Sequence, residues 1–293
     1  MSSTTHYAAP GVIFHPDTIH YREYKLLLKA ARFGKPQAFH KFWKLTRHVA
    51  KSVGVDLRKA GKGEDPHVRE VLFFDTPKFR LYNHNFILRR RTFYKNGVPR
   101  PEHELTFKFR CPNMKEAAAV DVRPLLPCIN QIKFKEEILT PHDGSMGMRT
   151  IFSHTCELDT PNTMLTQDFE TIAEVFPALR KTGAREKAAL AVVNNLAIDE
   201  ILVDVGEFNF GDKFHARATL AIWRNRVTGD YLVGEYAYQV KFANLEEFRE
   251  HPRKASEAFY VELQKEGADW IESGTTKTAI IYGSGKMPIT NHE

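Results

Sequence analysis

Four segments of this 293-residue chain set charged side chains two residues apart, and a fifth spreads polar and charged side chains along one parity. Glu23 and Lys25 flank Tyr24, Arg89 and Arg91 flank Arg90, and Lys108 and Arg110 flank Phe109. Lys133, Lys135 and Glu137 alternate with Phe134 and Glu136, and Glu235, Gln239 and Lys241 share one parity, with Ala237 between the first two. In a strand, residues i and i+2 lie on the same face. Each segment therefore offers one face carrying cations, three of these faces add a carboxylate, and the opposite face is largely apolar. Arginine presents a planar fork to phosphate oxygens and lysine a point charge, so the pattern suits an anionic ligand. Two arrangements satisfy it. One is an ordinary half-solvated antiparallel sheet with its charged face outward. The other is a barrel closed with its charged face inward, which is tolerable only if water and a polyanion occupy the interior.

The segments that must position these residues are strands in two runs. Tyr21 to Ala31, Val68 to Asp75, Phe86 to Tyr94, Glu102 to Arg110, Gln131 to Leu139 and Met148 to Leu158 read as strands, followed later by Glu200 to Phe210, Lys213 to Asn225 and Asp230 to Phe242. Lys95-Asn96-Gly97 and Val227-Thr228-Gly229 are hairpin signals. Phe39, Phe42, Trp43, Thr46, Val49, Ala50 and Val53 recur at helical spacing between Pro36 and Gly54. Further helices are expected over Gln167 to Leu179, Ala184 to Leu196 and Leu245 to Gln264, the last interrupted near Pro252 and followed by a Gly/Ser/Thr-rich tail. Asp56 to Pro66 reads as a loop. Hairpin signals dominate over alternating βαβ, so the predicted class is antiparallel α+β, about eight strands with flanking helices, and this pattern alone leaves open whether the strands form an open sheet or a closed antiparallel β-barrel. The predicted organisation is an arm over 1–19, one domain over 20–285 and a tail over 286–293.

Composition narrows the function classes. With 42% apolar and 27% charged residues the chain is globular rather than disordered. Its 42 Lys and Arg against 36 Asp and Glu leave a net charge of +6, compatible with anionic partners. No stretch approaches the roughly 20 apolar residues of a membrane-spanning helix, and Met1 to Pro10 lacks a signal-peptide pattern. Cys111, Cys128 and Cys156 are too few and too scattered for a disulfide framework or a zinc site. A cytoplasmic protein without a membrane partner is expected. His6, His15, His20, His40, His48, His67 and His84 show no metal-ligand spacing and read as surface residues. No serine or cysteine has a nucleophile context. Asp75, before Thr76-Pro77, reads as a turn residue.

The order of motifs resembles the CYTH domain of the triphosphate tunnel metalloenzyme superfamily, which contains class IV adenylate cyclases, thiamine triphosphatases and inorganic triphosphatases. The resemblance rests on Glu23-Tyr24-Lys25, Phe73-Phe74-Asp75-Thr76-Pro77, Phe79-Arg80-Leu81, Leu88-Arg89-Arg90-Arg91, Leu105-Thr106-Phe107-Lys108, Lys135-Glu136-Glu137, Glu235 with Gln239 and Lys241, and Thr275-Thr276-Lys277. It spans about residues 20–280, and its specific part is FFDTPKFRLYNHNFILRRR. The resemblance implies a closed tunnel in which Arg89, Arg91, Lys108, Arg110, Lys133, Lys135, Lys241 and Lys277 grip phosphate. It implies that Glu23, Glu137 and Glu235 hold Mg²⁺ or Mn²⁺, and that Lys25 grips phosphate or helps activate water. The pattern also departs from the family: Tyr21 stands where the first glutamate of Glu-x-Glu-x-Lys is expected, Lys135 replaces an acid, and Ala237 and Gln239 replace the later acids of their strand. The phosphate-gripping half is kept and the metal-holding half thinned.

The implied function is metal-dependent hydrolysis of a triphosphate-containing compound: inorganic triphosphate, thiamine triphosphate or a nucleoside triphosphate. The alternative is a non-catalytic binder of polyphosphate, a nucleotide or another phosphorylated ligand. The expected partner is a small phosphorylated molecule. Nucleic acid is not expected, because RNA-binding sheets expose aromatics for stacking and this face carries charge.

Overall fold

The structure is a computed structural model that describes residues 18–35, 37–60, 66–126, 128, 130–161, 168–184, 188–212, 214–242 and 250–285. Most of the expected arm, the expected C-terminal tail, Pro36 and the start of the last long helix lie outside the described residues.

Nine strands close into a barrel. They are β1 (Tyr21–Leu28), β3 (His67–Asp75), β4 (Phe86–Lys95), β5 (Val98–Cys111), β6 (Asn130–Leu139), β7 (Arg149–Pro161), β9 (Ile198–Asn209), β10 (His215–Asn225) and β11 (Tyr231–Lys241). Around the barrel the order is β9-β10-β11-β1-β6-β7-β5-β4-β3, and β3 pairs with β9 to close it. Short strands β2 (Asp56–Ala60), β8 (Ala191–Val192) and β12 (Ile271–Glu272) pair with β9, β3 and β1. All nine segments read as strands are staves of the barrel, one more than the estimate of about eight. The sheet is mixed rather than antiparallel: β1 runs parallel to β6, with Tyr21 opposite Lys135 and Glu23 opposite Glu137. Hairpin signals report only neighbours in the chain, so they are silent about this long-range pairing. Asn96 and Gly97, both at positive φ, make the tight turn between β4 and β5.

The apolar faces point outward, to helices. Helix α1 (Gln37–Ser52) and helix α4 (Glu250–Glu266) cover one side of the wall. There Phe42 meets Tyr236, and Phe259 and Tyr260 pack on Tyr24, Tyr238, Phe208 and Phe210. On the opposite side Phe107 stacks with Phe86 and meets Phe176, next to α2 (Met114–Ala118) and α3 (Phe169–Val175). The main core thus lies between barrel and helices, which leaves the interior to polar side chains. A second apolar cluster, including Leu27, Phe73, Trp223 and Val233, plugs one end of the interior with Ile281 and Tyr282 of α5 (Lys277–Gly283).

Several local expectations change. Of the predicted helix at 184–196, residues 185–187 lie outside the described residues; the described remainder includes β8 and a 3-10 turn (Val193–Asn195) in which Asn194 and Asn195 take positive φ. The helix expected to reach Leu179 ends at Val175 and gives way to a 3-10 turn that starts at Pro177, a residue with no N–H to continue the helix. Part of the predicted loop at 56–66 is β2, and β1 stops at Leu28. Pro252 lies within the described part of α4, which runs on through it to Glu266 without a break. The Gly/Ser/Thr-rich tail contains α5, capped by the Thr276 side chain accepting from the Ala279 N–H at 3.1 Å. His20 is buried rather than on the surface. Asp75, expected as a turn residue, is the last residue of β3 and holds the turn that follows: its carboxylate accepts from the backbone N–H groups of Thr76, Leu81 and Tyr82 and from the Tyr282 hydroxyl, which fastens α5 to this corner.

Candidate functional site

Alternation along the strands turns the charged faces into the barrel. Around a cavity of about 340 Å³, β1 contributes Glu23 and Lys25, β4 Arg89 and Arg91, β5 Lys108 and Arg110, β6 Lys133, Lys135 and Glu137, β11 Glu235, and α5 Lys277. That volume is at the lower end of the range for small-molecule sites, roughly 300–1,000 Å³. Eleven of the twelve anticipated side chains therefore meet in one lumen. Lys241 does not. It sits exposed at the end of β11, 5.7 Å from the Tyr21 ring. Arg90, on the opposite parity, pairs with Glu70 on the outer side, 5.9 Å from the Phe74 ring.

The lumen is organised around buried carboxylates. Glu137 is fully buried. Its Oε1 accepts from Lys108 Nζ at 3.1 Å and from Ser153 Oγ at 2.6 Å, and its Oε2 faces Lys25 Nζ at 2.8 Å and Arg110 Nη2 at 3.2 Å. Burial alone would raise its pKa, but Arg110, Lys108 and Lys25 outweigh that and hold it well below the usual carboxylate range. Burial also works against Glu23, yet Lys135 at 3.2 Å and Lys25 at 3.3 Å bring it down to about 2. Desolvation disfavours the charge on Lys25, but Glu137, Glu23 and Glu235 more than offset it and raise its pKa. Lys25 is therefore a fixed ammonium with no lone pair to take a proton from water. Lys108 differs: burial, reinforced by Arg110, Lys25 and Lys135, pushes it down to about 7 despite Glu137. It is the lumen amine poised to exchange a proton near neutrality.

Side chains not anticipated from the sequence complete the wall. Arg69, Glu104, Thr155 and Glu157 line the cavity, and Glu200 lies against it. Glu104 sits directly across from Arg91 and pairs with it at 2.8 Å, Glu157 pairs with Lys133, and Glu200 pairs with Arg69. Their signal was the same parity rule: Glu104 shares its strand face with Lys108 and Arg110. Trp223 also acquires a role. Its indole N–H donates to Glu200 at 2.9 Å, and its ring lies 4.5 Å from the Lys277 ammonium. Lys277 in turn reaches Glu235 at 2.7 Å.

Cations remain in excess, nine against six carboxylates with Glu200 included. The surplus is sharpest at Arg89. Its Nη2 donates to Thr106 Oγ1 at 3.1 Å, its buried Nε has no partner, and no carboxylate among the described residues lies within ion-pair distance. Burial and neighbouring Arg91 push its pKa down to about 9. An arginine so placed calls for an anion.

The carboxylates expected to hold Mg²⁺ or Mn²⁺ have the right oxygen chemistry, but they do not form an open ligand set here. Three hydrogen bonds, from Lys25, Lys108 and Ser153, and an ion pair with Arg110 already occupy both oxygens of Glu137, and Glu23 and Glu235 are paired with ammonium groups. Among the described residues no group of three His, Cys, Asp or Glu side chains is placed to hold an ion.

A closed barrel whose interior is charged and whose core lies outside it defines a tunnel-type α+β protein. No family model matches the sequence, and no curated protein matches it. Among solved structures the chain is similar to a candidate adenylyl cyclase from Hippeastrum described as having a dominant triphosphatase activity, at 14% identity and TM-score 0.44, over 94% of this chain and 100% of that one. It is also similar to a candidate adenylate cyclase from Bacillus halodurans, at 12% identity and TM-score 0.40, over 89% of this chain and 95% of that one. A third similar structure is a protein from Pyrococcus horikoshii, at 11% identity and TM-score 0.35, over 89% of this chain and all of the other. Among the described residues no helix is long and apolar enough to cross a membrane.

Proposed function

We propose that the tunnel binds a compound carrying a short chain of phosphates and hydrolyses it, the substrate being inorganic triphosphate, thiamine triphosphate or a nucleoside triphosphate. The observation that carries this reading is Arg89, with no carboxylate within ion-pair distance among the described residues, in a lumen with more cations than carboxylates. Arg89, Arg91, Lys108, Arg110, Lys133 and Lys135 would contact phosphate oxygens, and Lys277 would approach from the plugged end. Phosphoryl transfer asks a protein chiefly for positioning and for neutralisation of charge on the transferred group. Preorganised cations in a confined site supply both. Lys108 is the group able to donate or accept a proton as water attacks and the leaving phosphate departs.

A second reading, binding without turnover, is favoured by the carboxylates already committed to ammonium and guanidinium partners. One experiment separates the two: phosphate release from inorganic triphosphate, thiamine triphosphate and ATP, each with Mg²⁺, with Mn²⁺ and in EDTA. Release from any of them supports hydrolysis. Calorimetric binding without release from any supports the second reading, and neither binding nor release refutes both.

A further inference from the structure

The three carboxylates anticipated as metal ligands surround an ammonium group. Lys25 Nζ lies 2.8 Å from Glu137 and 3.3 Å from Glu23, and Glu235 is the third carboxylate acting on it. A second ammonium, Lys135, takes the other approach to Glu23 at 3.2 Å and donates to Gln239 Oε1 at 2.7 Å. Lys135 lies opposite Tyr21, whose ring centroid is 5.5 Å from its Nζ, and Gln239 lies opposite Glu23. Tyr21, Lys135 and Gln239 are thus gathered at one place in the wall, where they accommodate an amine.

We propose that Lys25, supported by Lys135, is the built-in counter-cation of this tunnel, so that the phosphate chain is received without a divalent metal. The inference rests on the reading of the lumen as a phosphate-chain site and goes beyond it by removing the metal requirement. Its basis is geometric. Both oxygens of Glu137 are already engaged, by three hydrogen bonds and the Arg110 ion pair. A metal seated between Glu23 and Glu137 would have to displace a lysine already paired with both. It would also enter a lumen where cations already outnumber carboxylates, against electrostatic repulsion. The lysines, tethered to the strands, are in place before the ligand arrives, which is the condition for a preorganised site.

The test is calorimetric titration of the full chain with inorganic triphosphate, in EDTA and with Mg²⁺, alongside Mn²⁺ titration of the ligand-free protein followed by electron paramagnetic resonance. The proposal expects triphosphate to bind in EDTA at least as tightly as with Mg²⁺, and the free-Mn²⁺ signal to be undiminished by the protein. Lys25→Met is expected to weaken binding in EDTA by about tenfold or more, whereas Lys25→Arg, which keeps the charge, retains most of it. Binding that requires Mg²⁺ overturns the proposal and leaves the phosphate-site reading standing. So does Mn²⁺ uptake by the ligand-free wild type. Absence of binding in both buffers overturns both together. The wild-type measurements decide the matter even where Lys25→Met fails to fold.

Discussion

Replacing Glu137 with glutamine removes one negative charge from a pocket where Lys25, Lys108 and Arg110 all lie within 3.2 Å of the carboxylate. The shape is nearly conserved, so the perturbation is electrostatic. At an effective dielectric of about 20, each contact near 3 Å is worth roughly 5 kcal/mol before relaxation. Lys108 can shed its proton near neutrality and relieve part of the loss. Breaking a buried ion pair by removing one partner typically costs about 3–5 kcal/mol, and the fully buried Glu137 belongs in that range. For a domain of this size that lowers Tm by roughly 5–8 °C. Urea and thermal unfolding at neutral pH in EDTA, followed by circular dichroism, measure it. Inorganic triphosphate should then stabilise Glu137→Gln more than wild type, because the ligand replaces the missing anion and shifts the folding equilibrium by mass action. A variant within about 1 kcal/mol of wild type without ligand would refute the reasoning. It would mean that Glu137 is not the counter-ion of the lumen but a carboxylate whose charge the fold does not need.

Three other perturbations probe the same interior. Arg89→Ala should weaken triphosphate binding by more than tenfold, about 1.4 kcal/mol or more, with little loss of stability, since Arg89 has no carboxylate partner in the described structure; calorimetry and a melting curve check both. Lys108 is depressed to about 7 from an ordinary value of 10.5, so the unfolded chain holds more protons than the folded one between these values and stability rises with pH there. Lys108→Met should abolish that rise in pH-dependent urea titrations, leave the fold at least as stable at pH 7 and weaken triphosphate binding; a rise that survives the substitution contradicts the assignment. Glu157, beside Lys133, is brought to about 2 from 4.5 although burial opposes it. Its contribution is fully present above 4.5 and lost as pH falls toward 2, worth ~3 kcal/mol, and Glu157→Gln should flatten the acid limb of the stability profile.

The amino-acid sequence by itself determined which residues share a strand face. That periodicity is local and rigid, so nine strands, the hairpin turns and the charged parity of Glu23, Lys25, Arg89, Arg91, Lys108, Arg110, Lys133, Lys135 and Glu137 were legible residue by residue. Only the tertiary structure decided that this parity faces inward. An alternating strand looks the same in an open sheet and a closed barrel, and closure depends on β3 meeting β9 and on β1 lying parallel to β6, contacts between segments remote in the chain. The same limit explains Glu104, Glu157 and Glu200: pairing register, rather than spacing, puts them against Arg91, Lys133 and Arg69. It also explains Lys241, whose parity matches Glu235 but which pairs with Tyr21 at the last position of β11 and is exposed there. Residue types could announce phosphate chemistry. Whether an acid waits for a metal or is already answered by a lysine depends on distances of about 3 Å, the hydrogen-bonding range, and only the closed barrel sets those.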